Sequence, residues 1–406
     1  MANTLLTISM ITNEAAMVLG NNIVLAKCVN RDYDNDFGVQ GAKIGQTINI
    51  RRPVRPVTRT GPVVDIQSAV ETYSPLVFQD PIGVDYAFTS YEMTFSIDDF
   101  SNRFIKPAMV AIANQVDKVG FDLMNKVYNL VGTPGTPLTT STARDAVLAA
   151  AAKLYDNLAP VDDGNLHFIN GSQFNAVLSG SNAALFNPQK EISDIYVKGF
   201  QGDFGGFRHY MDQLVQGHTN GIYGGTPLVN GAGQTGASLV TDGWTATTTS
   251  LNVGDVFTIA NVFMVNGQTR QNTGILQQFT VTEQTVTSGA GASTIAISPA
   301  IVTSGSFQNV TGAPADNAAI TVLGASQDFY NQSLGFHKDA FMLANKELVL
   351  PVGVERAMYG KDPQSNVGIR VVQQYDVRND QFITRFDTAI AWATLYEQLA
   401  VRLATN

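Results

Sequence analysis

One long stripe constrains the fold more than any other feature of this chain. From Ile105 onward, apolar residues recur at Met109, Ile112, Val116, Val119, Leu123, Val127 and Leu130, in steps of four and three. Side chains at that spacing share one face of an α-helix, so the run predicts a helix of about seven turns at ~3.6 residues each. Lys106, Asn114, Lys118, Asp122 and Asn125 take the opposite face. Pro107 marks either a kink or the first turn, and Ser96, Asp98 and Asp99 can cap the start. GTPGTP at 132–137 stops the helix, because glycine and proline continue it only at a cost.

The text around this helix is of mixed α and β character. A length of 406 residues suggests two or three domains, and 15% charged residues with 36 glycines favour strands and loops over charge-laced helices. Residues 4–28 place Leu5, Ile8, Ile11, Ala15, Val18 and Leu19 at helical spacing. TINIRRPVRPVTRTG then begins with strand-like alternation at Ile48 and Ile50. Pro53, Pro56 and Pro62 follow and cannot donate to a ladder, which predicts a protruding loop or edge ribbon. Residues 84–97 read as a strand, 142–158 as a helix capped by Thr142 or Ser141, LHFIN as a short buried strand and GSQFNAVLSG as a helix after it. Glycine clusters between 199 and 233 announce turns. From 235 to 325 charges thin out, and VFTIANVFMV, QQFTVTEQTV and STIAISP spell a compact antiparallel β module that interrupts its parent. Helix-forming and mixed text resumes with SLGFHKDAFMLANKEL. The strands NVGIRVVQQYDV, FITRFDTAIAWATLY and EQLAVRLA complete the chain.

Composition and motifs narrow the chemistry. A net charge of −9 argues against a broad basic face for nucleic acid, although local contact stays open. Cys28 is the only cysteine, so the fold holds without an intrachain disulfide and a reducing compartment is the simplest home. The N-terminus lacks a signal-peptide pattern, and no window approaches ~18 apolar residues. A soluble chain, or one in a soluble assembly, is expected. No Walker loop occurs, and GDFGGF at 202–207 lacks the strand and helix of a dinucleotide site, which favours a tight turn. His167, His209, His218 and His337 form no H-E-x-x-H pair. G-x-S-x-G is absent, and SGSNA at 179–183 offers only a serine in a glycine turn. Asp98–Asp99 and Asp162–Asp163 read as caps or solvated turns, and DYDND at 32–36 has no closing glutamate for calcium. No catalytic, cofactor-binding or metal residue is assigned.

There remain Arg51, Arg52, Arg55 and Arg59, four arginines within nine positions of an acidic chain. Without interleaved aromatics the run is a weak nucleic-acid signal. A solvated loop with scattered charge is one reading. A ribbon reaching a neighbouring copy, where guanidinium groups meet carboxylates, is another and also accounts for the prolines, since a stiff segment loses less entropy on docking.

The order of parts resembles the major capsid proteins of tailed double-stranded DNA bacteriophages, specifically the coat-protein branch of short-tailed enterobacterial phages with an inserted β domain. The likeness covers nearly the whole chain. It is carried by TINIRRPVRPVTRTG, SIDDFSNRFIKPAMVAIANQVD, GDVFTIANVFMVN and FITRFDTAIAWATLYEQLAVRL. The resemblance implies an α+β capsid fold: an N-terminal arm (1–45), an extended loop (46–82), the peripheral strand and spine helix (83–131), a first axial and peripheral part (132–234), an inserted β-barrel-like domain (235–325), and a completing segment (326–406). It implies pentamers and hexamers of the chain itself, a procapsid that matures, a portal protein, packaged double-stranded DNA contacted non-specifically, no cofactor and no membrane. With no long N-terminal extension to act as a fused scaffold, a separate scaffolding protein is expected. The site would be the virion shell, assembled in the bacterial cytoplasm. Arg51, Arg52, Arg55 and Arg59 would make intersubunit contacts, and Ile112, Val116, Val119 and Leu123 would pack the spine helix onto the peripheral sheet. The alternatives are an encapsulin-like compartment shell and a tail or baseplate protein.

Overall fold

The computed structural model describes residues 8–31, 47–56, 58, 61–64, 66, 71–90, 101–160, 164–183, 202–246, 249–362 and 365–405. The capping residues Ser96, Asp98 and Asp99, the DYDND run, Asp162, Asp163 and Arg59 lie outside them. The chain divides into two compact units, each assembled from segments distant in sequence.

The first unit comprises 1–50, 74–121 and 341–393. Its sheet is built from Phe341–Lys346, Gln381–Thr394, Gly368–Asp376 and Arg356–Lys361 in that order, with Ile82–Thr89 also antiparallel to Gln381–Thr394. Arg370 and Asp387 are cross-strand partners, joined through two hydrogen bonds of 2.8 and 2.6 Å, and Arg385 adds a third at 2.9 Å. The buried Asp387 is thus held by two guanidinium groups, the arrangement that makes burial of a carboxylate tolerable.

The apolar stripe does form an α-helix, Lys106–Phe121, preceded by a π-helical turn at Ser101–Ile105. Pro107 sits in its first turn, where its missing N–H costs nothing. Met109, Ile112 and Val116 are buried as the spacing requires, whereas Val119 is half-buried. Asp117 takes a place on the buried side for a polar reason: its carboxylate accepts the backbone N–H groups of Val24, Leu25 and Ala26 at 2.7, 3.2 and 3.2 Å. It thereby caps the short helix Leu25–Cys28 from across the unit, a site where negative charge is favoured. The N-terminal helix, Ile8–Asn22, packs against the same long helix and buries Ile11, Ala15 and Leu19.

The expected seven turns are not reached. The α-helix ends at Phe121, Asp122–Lys126 is 3-10, and Leu130–Val131 is already a strand. Leu130 and Val131 pair in parallel with Arg402 and Leu403, and the Gln278 amide exchanges two hydrogen bonds with the Leu130 backbone at 3.0 and 2.8 Å. Partners more than a hundred residues away take the backbone groups that a longer helix would have needed. Val127 and Leu130 are apolar because they are buried, not because they are helical.

The second unit comprises 51–73, 122–340 and 394–406. One part is a mixed six-stranded sheet in the order Leu130–Val131, Ala400–Ala404, Gln332–His337, Leu166–Asn170, Phe207–Met211 and Asp203–Phe204. The helix Ala143–Asp156 packs on it and on the helix Ser172–Ala183. SLGFHKDAFMLANKEL is a further correction: it forms two strands, Gln332–His337 and Phe341–Lys346, around a short 3-10 turn. Every residue of the first is buried, so both faces are apolar and the alternation that normally marks a strand is missing.

The other part is a barrel. Its strands run in the order Ile320–Val322, Val256–Val265, Asn272–Val281, Ser293–Ile301, Gly236–Trp244 and Gly225–Val229, each antiparallel to the next. A bridge between Leu228 and Ala319, with Val229 N–H donating to the Ala318 carbonyl at 3.0 Å, closes the last strand on the first. Closure removes the edges that an open sheet would expose. Leu239, Phe257, Ile259, Phe279, Val281 and Ile295 fill the interior. The first barrel strand begins at Gly225, ahead of the expected start at 235, because GTPLV is short and contains proline.

Buried polar groups tie the barrel to the sheet beside it. Asp255 accepts His218 Nε2 at 2.8 Å, Asn252 N–H at 2.9 Å and Gly221 N–H at 3.1 Å. Arg402, wholly buried on the central strand, donates to the Gly254 carbonyl at 2.8 Å.

Candidate assembly surface

Residues 51–56 leave the strand Thr47–Arg52, which pairs with Thr72–Val77. Pro53 and Pro56 end the ladder as the sequence requires. The arginines then separate by environment. Arg51 is exposed, its side chain 82% accessible, and meets only the equally solvated Glu71, at 3.7 Å. Arg52 and Arg55 are half-buried. The Arg52 guanidinium lies 5.9 Å from the centre of the Tyr396 ring, and that of Arg55 lies 5.7 Å from Phe307, distances at which a cation is attracted to an aromatic face. Farther along the loop Val63, Val64 and Ile66 are 81%, 72% and 91% exposed.

Beneath Arg52 and Arg55 the protein leaves two neighbouring cavities, of about 500 and 280 Å³, lined jointly by this segment, Tyr128, the barrel and the C-terminal turn. Glu397 lines the smaller one and accepts the Ser298 hydroxyl at 2.5 Å. Burial pushes its carboxyl pKa up, while the Ser298 bond, Arg52 and Lys126 favour the carboxylate. Burial likewise raises the Tyr128 phenol, with Glu397 adding to the effect and Arg55 opposing it. Tyr128, Phe307, Tyr396 and Glu397 carry no signal in the sequence, since no motif links positions so far apart.

The other sequence-derived candidates have structural explanations. Gly205 and Gly206, both at positive φ, form the two-residue turn between Asp203–Phe204 and Phe207–Met211, a hairpin connection that demands glycine. SGSNA belongs to the helix Ser172–Ala183, and the Ser179 hydroxyl donates to the Asn175 carbonyl one turn back. His167 and His209 are buried, His218 is spent on Asp255, and His337 Nδ1 lies 3.6 Å from Asp339. Among the described residues no group of His, Cys, Asp and Glu could hold a metal, and no helix is long and apolar enough to cross a membrane. Of the helix-packing residues, Ile112, Val116 and Val119 lie in the first unit, where the long helix meets the strand Ile82–Thr89. Leu123 lies in the second.

The sequence matches the family described as "P22 coat protein - gene protein 5" over residues 1–401. No curated protein matches it. Among solved structures the chain is similar to one from Mycobacterium phage Che8, with a TM-score of 0.51 at 11% identity, covering 94% of this chain and 90% of that one. A capsid structure of the cyanophage P-SCSP1u aligns at TM-score 0.45 and 9% identity over 90% and 85% of the two chains. A virus-like particle from Pyrococcus furiosus aligns at 0.40 and 8% over 97% and 98%. A family match over almost the full length, on an α+β fold of this kind, leaves one assignment: the chain belongs to the P22 coat protein family and is a structural major capsid protein with the tailed-phage capsid fold, not an enzyme.

Proposed function

We propose that this coat protein assembles as pentamers and hexamers into a procapsid and then a mature icosahedral shell around double-stranded DNA, in the cytoplasm of a bacterial host. The family match over residues 1–401 carries this reading. A separate scaffolding protein directs closure, and a portal protein occupies one vertex. Segment 1–45 acts as the N-terminal arm, 46–82 as the extended loop and 83–131 as the peripheral strand and spine helix. Residues 132–234 and 326–406 supply the axial and remaining peripheral parts, and the inserted domain decorates them. A net charge of −9 suits a lining that touches packaged DNA without gripping it. The family match also disfavours an encapsulin-like compartment.

Intersubunit contact falls first to Arg51, with Arg59 beside it in sequence. An exposed ion pair is worth ~0–1 kcal/mol, so Arg51→Ser, alone or with Arg59→Ser, should leave the melting temperature nearly unchanged. The same variants should lower the fraction of subunits in closed shells, counted by negative-stain microscopy and sedimentation. Contacts this weak suit a shell, because ring closure makes later contacts effectively intramolecular and early errors can still dissociate. A wild-type chain that stays monomeric at every concentration and salt, with scaffold present, would refute the assembly reading.

A further inference from the structure

Two of the four arginines are occupied within their own subunit, and what occupies them is assembled from three distant stretches. Phe307 sits in the barrel loop between Ser293–Ile301 and Ile320–Val322, Tyr396 and Glu397 come from the C-terminal turn, and Tyr128 follows the long helix. The loop that carries Phe307 is locked before any arginine arrives. Arg270 donates to the Gly305 and Ser306 carbonyls on one side of it at 3.1 and 2.7 Å. On the other, Asn309 donates to the Ala300 carbonyl at 2.7 Å and accepts the Val302 N–H at 2.9 Å. A ring fixed in this way presents its face without paying ordering entropy at the moment of contact.

We propose that the barrel loop and the C-terminal turn form a seat for the arginine segment: Phe307 and Tyr396 hold Arg55 and Arg52 so that Arg51 and the exposed apolar residues beyond are presented to a second copy of this chain. Arg52 and Arg55 are then positioning residues, and the partner is met by Arg51 and by Val63, Val64 and Ile66. This rests on the assembly reading above. It also gives the inserted barrel a task in the parent protein, since the barrel supplies the Phe307 face. The two cavities under the segment mean that the seat grips at two rings rather than along its whole length. Pro53 and Pro56 stiffen what lies between, so two anchor points suffice to aim it.

The test separates the ring face from mere bulk. Phe307→Leu removes the π face, and Phe307→Tyr keeps it. Under conditions in which wild-type full-length subunits close into shells, Phe307→Leu should slow assembly roughly three- to tenfold by light scattering, the factor that a contact of cation–π strength commands. Phe307→Tyr should assemble at the wild-type rate, and both should melt alike. Arg55→Gln should show the same slowing, and the double variant Phe307→Leu/Arg55→Gln no more than either single one. Wild-type assembly by Phe307→Leu, or additive losses in the double variant, would overturn the proposal. A second readout does not depend on assembly: phenylglyoxal, followed by mass spectrometry on unassembled subunits, should modify Arg51 several-fold faster than Arg55. In Phe307→Leu the Arg55 rate should rise, and in Phe307→Tyr it should not. Equal rates in all three proteins would refute the seat, whereas failure of the wild type to assemble would refute only the assembly reading.

Discussion

Burial decides the state of single residues in this protein. His167 and His209 lie on neighbouring parallel strands, 7% and 5% exposed, and removal from water pushes both pKa values down to about 4. Arg208, His337 and Lys338 add repulsion at His167. At His209 the Phe204 carbonyl and Asp203 work in the opposite direction without reversing the effect. An unfolded imidazole takes its proton near pH ~6.5. As pH falls the unfolded chain binds these protons first, so this part of the stability is full above ~6.5 and is lost progressively toward 4. Urea denaturation should therefore show stability falling across that window by up to about 3 kcal/mol per histidine. Glu397, whose carboxyl is raised by burial, softens the decline, because the folded state takes its proton first. His167→Phe, placed among Phe336 and Tyr210, should flatten the profile. A wild-type profile already flat from pH 7 to 4 would contradict the account.

At the scale of elements, the long helix shows how packing overrides propensity. Gly120 lies in its last turn, and a Cβ there would stand 2.6 Å from Leu25 Cδ2 and 2.9 Å from Trp392 Cζ2. Alanine is favoured over glycine in a helix by about 1 kcal/mol, but overpacking a filled core costs ~1–3 kcal/mol. The clash should win, so Gly120→Ala is expected to lower stability by about 1–2 kcal/mol in thermal and urea denaturation. Trimming the neighbour tests the cause: Leu25→Ala should be less damaging in the Gly120→Ala background than in wild type. A stabilised Gly120→Ala protein would show that the helix, Leu25 and Trp392 have room to part.

For the whole molecule, the consequential feature is that a closed barrel interrupts a sheet and is then tied back to it. The bridge between Leu228 and Ala319 brings the two ends of the insertion side by side, so the barrel needs no parent to close. Its core is its own, and Trp244, buried with its indole N–H on the Thr241 hydroxyl at 2.8 Å, reports on it. Residues 223–324 expressed alone should unfold cooperatively, with Trp244 fluorescence and far-UV circular dichroism changing together. Without His218 and Arg402 the fragment loses its polar tie at Asp255 and Gly254, so it should be less stable than the barrel in the full chain. A broad, non-cooperative transition would mean that the barrel depends on the sheet beside it.

Periodicity and turn chemistry act over a few residues, and what they govern was legible in the sequence by itself. The stripe at Met109, Ile112 and Val116, the glycine turn at Gly205–Gly206, the proline stop after Arg52 and the antiparallel module read from VFTIANVFMV all follow from local backbone rules. So does the order of parts that carries the family resemblance. The tertiary structure decided matters in which distant groups compete for the same backbone or side chain. Strand Ala400–Ala404 claims Leu130 and shortens the helix, and full burial of Gln332–His337 erases the alternation that would have marked a strand. Asp117 leaves the polar face to cap a helix more than ninety positions earlier. The arginines illustrate the same division: four equal charges in the sequence become one solvated residue and two anchored ones only when Phe307 and Tyr396, over two hundred positions away, are folded beside them. The sequence determines which segments are helix, strand or turn, because those preferences are paid within a few bonds. Which side chains meet is settled by closing loops hundreds of residues long, and no local pattern records that closure.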